Sequence, residues 1–179
     1  MASQDPKPNP IDRLPPQNLE AEASVLGGIM LDRDAIIKVA DILIPDDFYD
    51  RRNTLIFETM LELYDDRASI DVLTVSNRLA EKGLMEATGG MSYLTHLVNT
   101  TPSAAHVVHY GKIVQRKGTL RKLIQASSET INAAFGEVED IDLLLDTAEQ
   151  KLFGVSQKYV PVPRDHEKTC AAQTQSAFW

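Results

Sequence analysis

Cysteine is nearly absent from this 179-residue chain, and Cys170 stands alone. An internal disulfide framework is therefore excluded, and a reducing, cytoplasmic setting is the expectation. Long apolar runs are missing too: no stretch reaches the roughly 18 residues that a membrane span needs. Met1 to Pro10 is polar and proline-rich and lacks the apolar centre of a secretory signal. Aromatics supply only 6% of the residues, and no segment alternates polar and apolar with the two-residue period of a sheet. What is present is ordinary. A hydrophobic share of 43% and a charged share of 25% sit near globular averages, which excludes wholesale disorder. The length suits one domain, or a compact head with an extension. A net charge of −8 argues against a surface that grips nucleic acid everywhere, while leaving room for a local basic stripe.

Motifs that carry chemistry are equally scarce. A phosphate-binding loop of the Walker type needs G-x-x-x-x-G-K-[ST], because backbone amides and a lysine hold the phosphates. Gly111-Lys112 is the one Gly-Lys pair, but His106 stands where the first glycine belongs and Ile113 where Ser or Thr belongs. Neither Gly27-Gly28 nor Gly89-Gly90 forms a dinucleotide fingerprint, and Gly27-Gly28 reads as a close helix approach. His106 and His109 lie three apart on a predicted helix and suit a metal pair, or simply exposed helix positions, with no carboxylate partner to complete a site. His166 and Cys170 are four apart in a tail with two prolines nearby. Asp46, Asp47 and Asp50 flank Phe48-Tyr49 and suit helix capping better than a cation loop. Ser24, Ser103 and Cys170 have no evident base, so nucleophilic catalysis lacks support. No catalytic residue, cofactor site or metal site is expected in this chain.

Helical signals, by contrast, run throughout. Asn18 is a plausible cap for a first helix with Glu20 and Glu22 in its first turn, where carboxylates favour the dipole. Leu19, Val25, Leu26, Ile29 and Met30 follow at helical spacing. Asp32 is placed to cap a second helix holding Ile36, Val39 and Ala40, which ends before Pro45. A third spans about Arg52 to Tyr64 and buries Ile56, Met60 and Leu63. Asp71 caps a fourth with Leu73 and Leu79 inside and Gly83 past its end. Gly89-Gly90 turns into a short helix with Tyr93, Leu94 and Leu97. Thr101-Pro102 reads as cap plus first residue of a long helix ending near Gly136. That helix is on the order of 50 Å long at 1.5 Å per residue, unless Gly118 kinks it. A further arm starts near Asp140 with Ile141, Leu144, Leu145, Ala148 and Leu152. Two such arms form a helical hairpin that cannot bury both its faces against itself, and leftover apolar surface marks an association site.

Charge divides along the chain. Residues 1–101 hold 9 Lys and Arg against 17 Asp and Glu, whereas 102–158 hold 7 of each. Within the hairpin, Lys112, Arg116, Lys117, Arg121 and Lys122 precede Glu137, Glu139, Asp140, Asp142, Asp146 and Glu149. A basic arm folded on an acidic one is the expected arrangement; contact with phosphates is the alternative use of the basic stripe.

Specific strings then carry more than periodicity. Leu14-Pro15-Pro16-Gln17-Asn18-Leu19-Glu20-Ala21-Glu22, followed by Val25-Leu26-Gly27-Gly28, resembles the start of the bacterial replicative DNA helicase DnaB family. Ile44-Pro45-Asp46-Asp47-Phe48-Tyr49 and Ile56-Phe57 continue the resemblance, as do Ile70-Asp71-Val72-Leu73-Thr74-Val75 and Gly89-Gly90-Met91-Ser92-Tyr93-Leu94. Thr101-Pro102-Ser103-Ala104-Ala105, Tyr110, Ile113-Val114, Leu120-Arg121-Lys122-Leu123-Ile124 and Leu143-Leu144-Leu145-Asp146 with Glu149 complete it, over about residues 11–160.

The resemblance implies an all-α fold: a flexible arm over 1–16, a globular helical head over 17–100, and a helical hairpin for oligomerisation over 101–158. It implies a non-catalytic collar domain that assembles with itself, as a dimer or as a trimer of dimers within a hexamer. It also implies docking of primase and, in some lineages, loader contacts. DNA contact is weak or indirect, no membrane is involved, and ATP and Mg2+ belong to a RecA-like motor domain that this sequence does not reach. Carried over by motif, Glu20, Tyr93 and Ile124 are the candidate primase contacts; a helix-start role for Glu20 and core roles for Tyr93 and Ile124 remain open. Residues 159–179 depart from the family pattern after Tyr159 and are expected to be a disordered tail. Two other readings stand beside this one: a free-standing regulatory or decoy module that binds primase or helicase subunits, and a metal-dependent enzyme built on His106 and His109.

Overall fold

A computed structural model describes residues 14–136 and 140–159, with side chains to residue 155. Among these residues there are seven α-helices, two 3-10 turns and no strand. Cys170, His166 and residues 160–179 of the expected tail lie outside the described residues, while Tyr159, placed in that tail, ends the last helix.

Helix α1 (Leu19–Leu31) is the axis of the head. Asn18 caps it as expected, its Oδ1 accepting from the Ala21 N–H at 3.0 Å. The helix is apolar almost all round, and eight of its residues from Ala21 to Met30 are buried. Such a helix must be enclosed by others. Helices α5 (Gly90–Thr100) and α6 (Val107–Phe135) lie against it. Gly27 permits the close approach inferred from the sequence: a Cβ there would overlap the Leu97 carbonyl oxygen and Thr101 Oγ1. Gly28 faces the start of α6 with more room, its nearest neighbour being Val107 Cγ2 at 3.5 Å.

Around this axis sit α2 (Ala35–Val39), α3 (Arg51–Asp65) and α4 (Val72–Glu81). Asp50 caps α3 through the Arg52 N–H, and Asp71 caps α4 through the Leu73 and Thr74 N–H groups. Ile56, Met60, Leu63, Leu79, Leu94 and Leu97 are buried, as their spacing predicts. Leu73 is not: it is 64% exposed, because α4 lays only one face on the head and position 73 points away from Leu79. Asp32 does not cap α2. It closes α1, and its Oδ1 takes the Asp34 N–H at 3.0 Å instead.

The largest correction falls at Thr101-Pro102. Thr101 ends α5 rather than starting the next helix; its buried hydroxyl donates to the Leu97 carbonyl at 2.8 Å, wedged against Gly27. Ser103 then caps a 3-10 turn over Ala104–His106, and α6 begins at Val107. His106 therefore precedes the helix that carries His109. A buried hydroxyl with a nearby carbonyl acceptor outcompetes the cap position that proline placement suggests.

Helix α6 runs 29 residues, about 44 Å at 1.5 Å per residue, as one unbroken helix. Gly118 does not interrupt it. It lets Asp47 in: a Cβ there would meet Asp47 Cα at 2.8 Å. Val107, Gly111, Val114 and Gly118 form the buried stripe on the head. The base of the hairpin is thus part of the head's packing, and a division at residue 100 runs through a continuous core. Helix α7 (Ile141–Tyr159) folds back on α6. The expected pairing of a basic arm with an acidic arm is largely absent. Arg121 donates to the carbonyls of Pro16 and Asp47, and Lys122 pairs with Asp47 at 2.6 Å, so both reach the head. Residue 16, assigned to the arm, is held by this contact. Among the described residues, Lys151–Glu129 at 2.7 Å is the one ion pair joining the two helices. Helix α7 is shorter than α6, so it lies beside the outer part and does not reach the base that packs on the head.

The two neighbouring glycines separate packing from helix propensity. Gly27→Ala forces Thr101 and α5 away from α1 and is expected to destabilise by about 1–3 kcal/mol. Gly28→Ala is expected to leave stability unchanged or raise it by up to about 1 kcal/mol. Urea unfolding followed by circular dichroism compares the two directly, and equal effects would contradict the packing.

Candidate docking groove on the head

Three elements meet beside the start of α1. Leu19, Glu20 and Ala23 supply one wall, and Tyr93, His96 and Leu97 of α5 supply the other. Asp50 and Arg52 close one end, giving a shallow groove of about 330 Å³. Glu20 is exposed on the first turn of α1, where a carboxylate suits the positive end of the dipole. Tyr93 is half-buried. Glu20 and Tyr93, inferred separately from sequence strings, therefore line one site.

Behind the groove lies a polar chain. The Tyr93 hydroxyl donates to Asn53 Oδ1 at 2.8 Å, and Asn53 Nδ2 donates to Glu22 Oε2 at 2.9 Å. Glu22 also accepts from the Tyr49 N–H at 2.7 Å and the Asp50 N–H at 3.3 Å. Glu22 and Asn53 are each 1% exposed. A buried carboxylate costs several kcal/mol unless its oxygens are satisfied, and here amide donors at the start of α3 satisfy them. The Arg52 guanidinium sits 4.3 Å above the Tyr93 ring while its Nη2 reaches Asp50 Oδ2 at 2.7 Å. His96 lies alongside the same ring, with centroids 6.4 Å apart.

Burial, first among its causes, pushes the Tyr93 phenol above its ordinary range. The hydrogen bond from Arg52 holds the Asp50 carboxyl below its ordinary value of 3.8. The same bond raises the already high Arg52 guanidinium.

Sequence reasoning missed Glu22 and Asn53. Glu22 reads as a first-turn carboxylate, yet it takes the first place of the stripe Glu22, Val25, Leu26, Ile29. Asn53 does the same before Ile56, Phe57 and Met60. A polar residue in phase with core positions was the available signal.

Ile124 is not brought to this groove. It is 52% exposed on α6, where Leu120, Leu123, Ile131 and Phe135 are also exposed. On α7, Ile141, Leu143, Leu145, Leu152 and Phe153 are each at least 42% exposed. Ile124 thus belongs to a second, apolar surface.

Other chemistry finds little footing. Gly111 lies inside α6 against Val39 and Leu43, where its amide serves the helix and cannot cradle a phosphate. Among the described residues no three His, Cys, Asp or Glu side chains converge as metal ligands. Asp47 is occupied with the Ile44 N–H and Lys122, and Asp50 with Arg52. No described helix is long and apolar enough to cross a membrane.

Asp50 gives the site a pH signature. Its lowered value means its charge stabilises the fold above pH 3.8, and the contribution is lost as pH falls through the lowered folded value. Asp50→Asn keeps a capping oxygen and removes the charge. The variant is expected to unfold at lower urea than the parent at pH 7, with the gap closing as the pH falls below 3.8. A gap constant with pH would contradict this.

Comparison with known proteins matches this architecture to one family. The family described as "DnaB-like helicase N terminal domain" matches residues 14–116. The replicative DNA helicase DnaB of Geobacillus stearothermophilus is 40% identical over 147 residues, covering 82% of this chain and 32% of that protein. The chain thus spans about a third of that curated relative's length. The crystal structure of the N-terminal domain of DnaB helicase from Mycobacterium tuberculosis superposes with a TM-score of 0.76 at 36% identity, covering 79% of this chain and 99% of that one. A DnaB-like replicative helicase, solved in a study that also describes its interactions with primase, matches in fold with a TM-score of 0.66 at 24% identity, over 79% of this chain and 31% of that one. With its helical head and its α6–α7 hairpin, the chain belongs to the DnaB-like helicase N-terminal domain family.

Proposed function

We infer that this chain serves as the collar of a replicative DNA helicase, joining subunits through its hairpin and holding primase in the groove of the head. The observation that carries the assembly role is the uncovered apolar surface of α6 and α7. Phe135 is 88% exposed, and Leu143, Leu145 and Phe153 are 60–65% exposed. Burying one such side chain is worth about 1.5–3 kcal/mol. Ten of them on one hairpin exceed what an isolated surface usually shows, and a second hairpin covers them. The assembled unit is a dimer or a trimer of dimers within a hexamer, working in the cytoplasm.

The groove supports the second role. It is apolar-walled and carries an aromatic ring, a stacked arginine and a free-standing carboxylate, the composition of a protein-docking hot spot. Primase is the partner described for the related helicase, and Glu20 and Tyr93 are the contacts on this face. Ile124, on the hairpin, reaches primase where a neighbouring subunit's hairpin leaves it uncovered. Nucleotide hydrolysis, with its ATP and Mg2+, and strand separation belong to other parts of the helicase.

Light scattering after size exclusion tests assembly. The chain is expected to self-associate with rising concentration, and Leu145→Glu with Phe153→Glu is expected to give a folded monomer. A parent chain that stays monomeric at high concentration would remove the assembly role. Calorimetry with primase tests docking: Tyr93→Ala is expected to weaken binding about tenfold or more, since truncating an aromatic anchor costs at least about 1–2 kcal/mol.

A further inference from the structure

The polar chain behind the groove has a direction. Both Glu22 oxygens accept backbone N–H groups, from Tyr49 and Asp50, so the side chain presents an acceptor to Asn53 and obliges it to turn its NH2 group inward. Asn53 Oδ1 then faces Tyr93, and that oxygen, 2.8 Å from Tyr93 Oη, obliges the phenol to donate. The flip ambiguity of an asparagine amide is removed at this position by its neighbours. The Tyr93 hydroxyl is thereby spent on the interior. Arg52 covers one face of the ring at 4.3 Å. What a partner meets is the remaining ring surface beside Leu97 and Ala23, in one orientation.

Neither Glu22 nor Asn53 lines the groove, and both are 1% exposed. Neither can touch a docked protein. Asn53 nevertheless ties the ring on α5 to α3, and Glu22 ties Asn53 to α1, so the two walls and the end of the groove share one chain of bonds. Free rotation of a half-buried ring costs affinity because ordering it on binding opposes association. A ring ordered beforehand avoids that cost.

We propose that Asn53, aligned by the buried Glu22, is a positioning residue for docking: it holds the Tyr93 ring in the orientation that primase reads. This rests on the docking role proposed above. The hydroxyl contributes through Asn53 and makes no bond to the partner.

A double-mutant cycle in the full chain tests it. Kd for primase is measured by calorimetry for Tyr93→Phe, Asn53→Ala and the pair, with Tyr93→Ala as the reference for loss of the ring. Each single change is expected to weaken binding about fivefold, the fold-change of one net hydrogen bond. The pair is expected to weaken it no further, because both remove the same bond. Glu22→Gln, of the same volume and outside the groove, replaces Asn53→Ala if that variant does not fold, with the same expectation in the Tyr93→Phe background. NMR of Tyr93 provides the second readout: one χ1 rotamer in the parent, averaging over several in Asn53→Ala. Losses that add in the double variant would mean that the hydroxyl touches the partner and would overturn the proposal. Parent-like Kd for Tyr93→Phe and Asn53→Ala, beside weakened Tyr93→Ala, would overturn the positioning role and leave docking in place. Parent-like Kd for Tyr93→Ala would overturn docking and the positioning role together.

Discussion

A carboxylate enclosed in an apolar head has to be satisfied by donors brought from elsewhere, and Glu22 imposes that condition on this fold. Its donors come from the Tyr49 and Asp50 amides and from Asn53, on the segment that opens α3. Helix α1 and helix α3 are thereby held at one register. A slip of either by one residue would leave a buried charge unpaired, at a cost of several kcal/mol. Asn53 then extends the constraint to α5 through Tyr93. The groove on the head is the outer face of that arrangement, so its shape depends on bonds that its surface does not reveal.

Two glycine contacts place the hairpin on the same frame. Gly27 admits Thr101, which turns the chain out of α5 and sets where α6 begins. Eleven residues into α6, Gly118 admits Asp47, whose carboxylate takes Lys122 while its carbonyl takes Arg121. The base of α6 is consequently rigid on the head, with Val107 and Val114 in the common core. Beyond Lys122 only Ala126 of α6 is buried, while Leu123, Ile124, Ile131 and Phe135 are exposed. One helix therefore has two regimes, a buried base and an uncovered outer arm. The transition falls where the basic residues bend back to the head.

Much of this was legible in order and type. Capping by Asn18, Asp50 and Asp71, apolar spacing from Val25 to Leu97, and the close approach at Gly27 are local signals, and local physics decides them. Leu73, Thr101 and the arm-to-arm charges depart from their local signals for a shared reason. Which neighbour stands opposite a residue is not a local property. Leu73 has apolar character but no facing surface. Thr101 suits a cap, but a carbonyl within reach takes its hydroxyl. Arg121 and Lys122 lie in a hairpin rich in acids, yet Asp47 and two backbone carbonyls stand closer.

Helix content, the head-and-hairpin order, the family resemblance and the lack of a phosphate loop follow from the residues alone, since each depends on spacing within one segment. The grouping of Glu20 with Tyr93, the separation of Ile124 from both, and the burial of Glu22 and Asn53 were settled only when α1, α3 and α5 came together. Those outcomes depend on which side chains meet across the core, and no single segment carries that information.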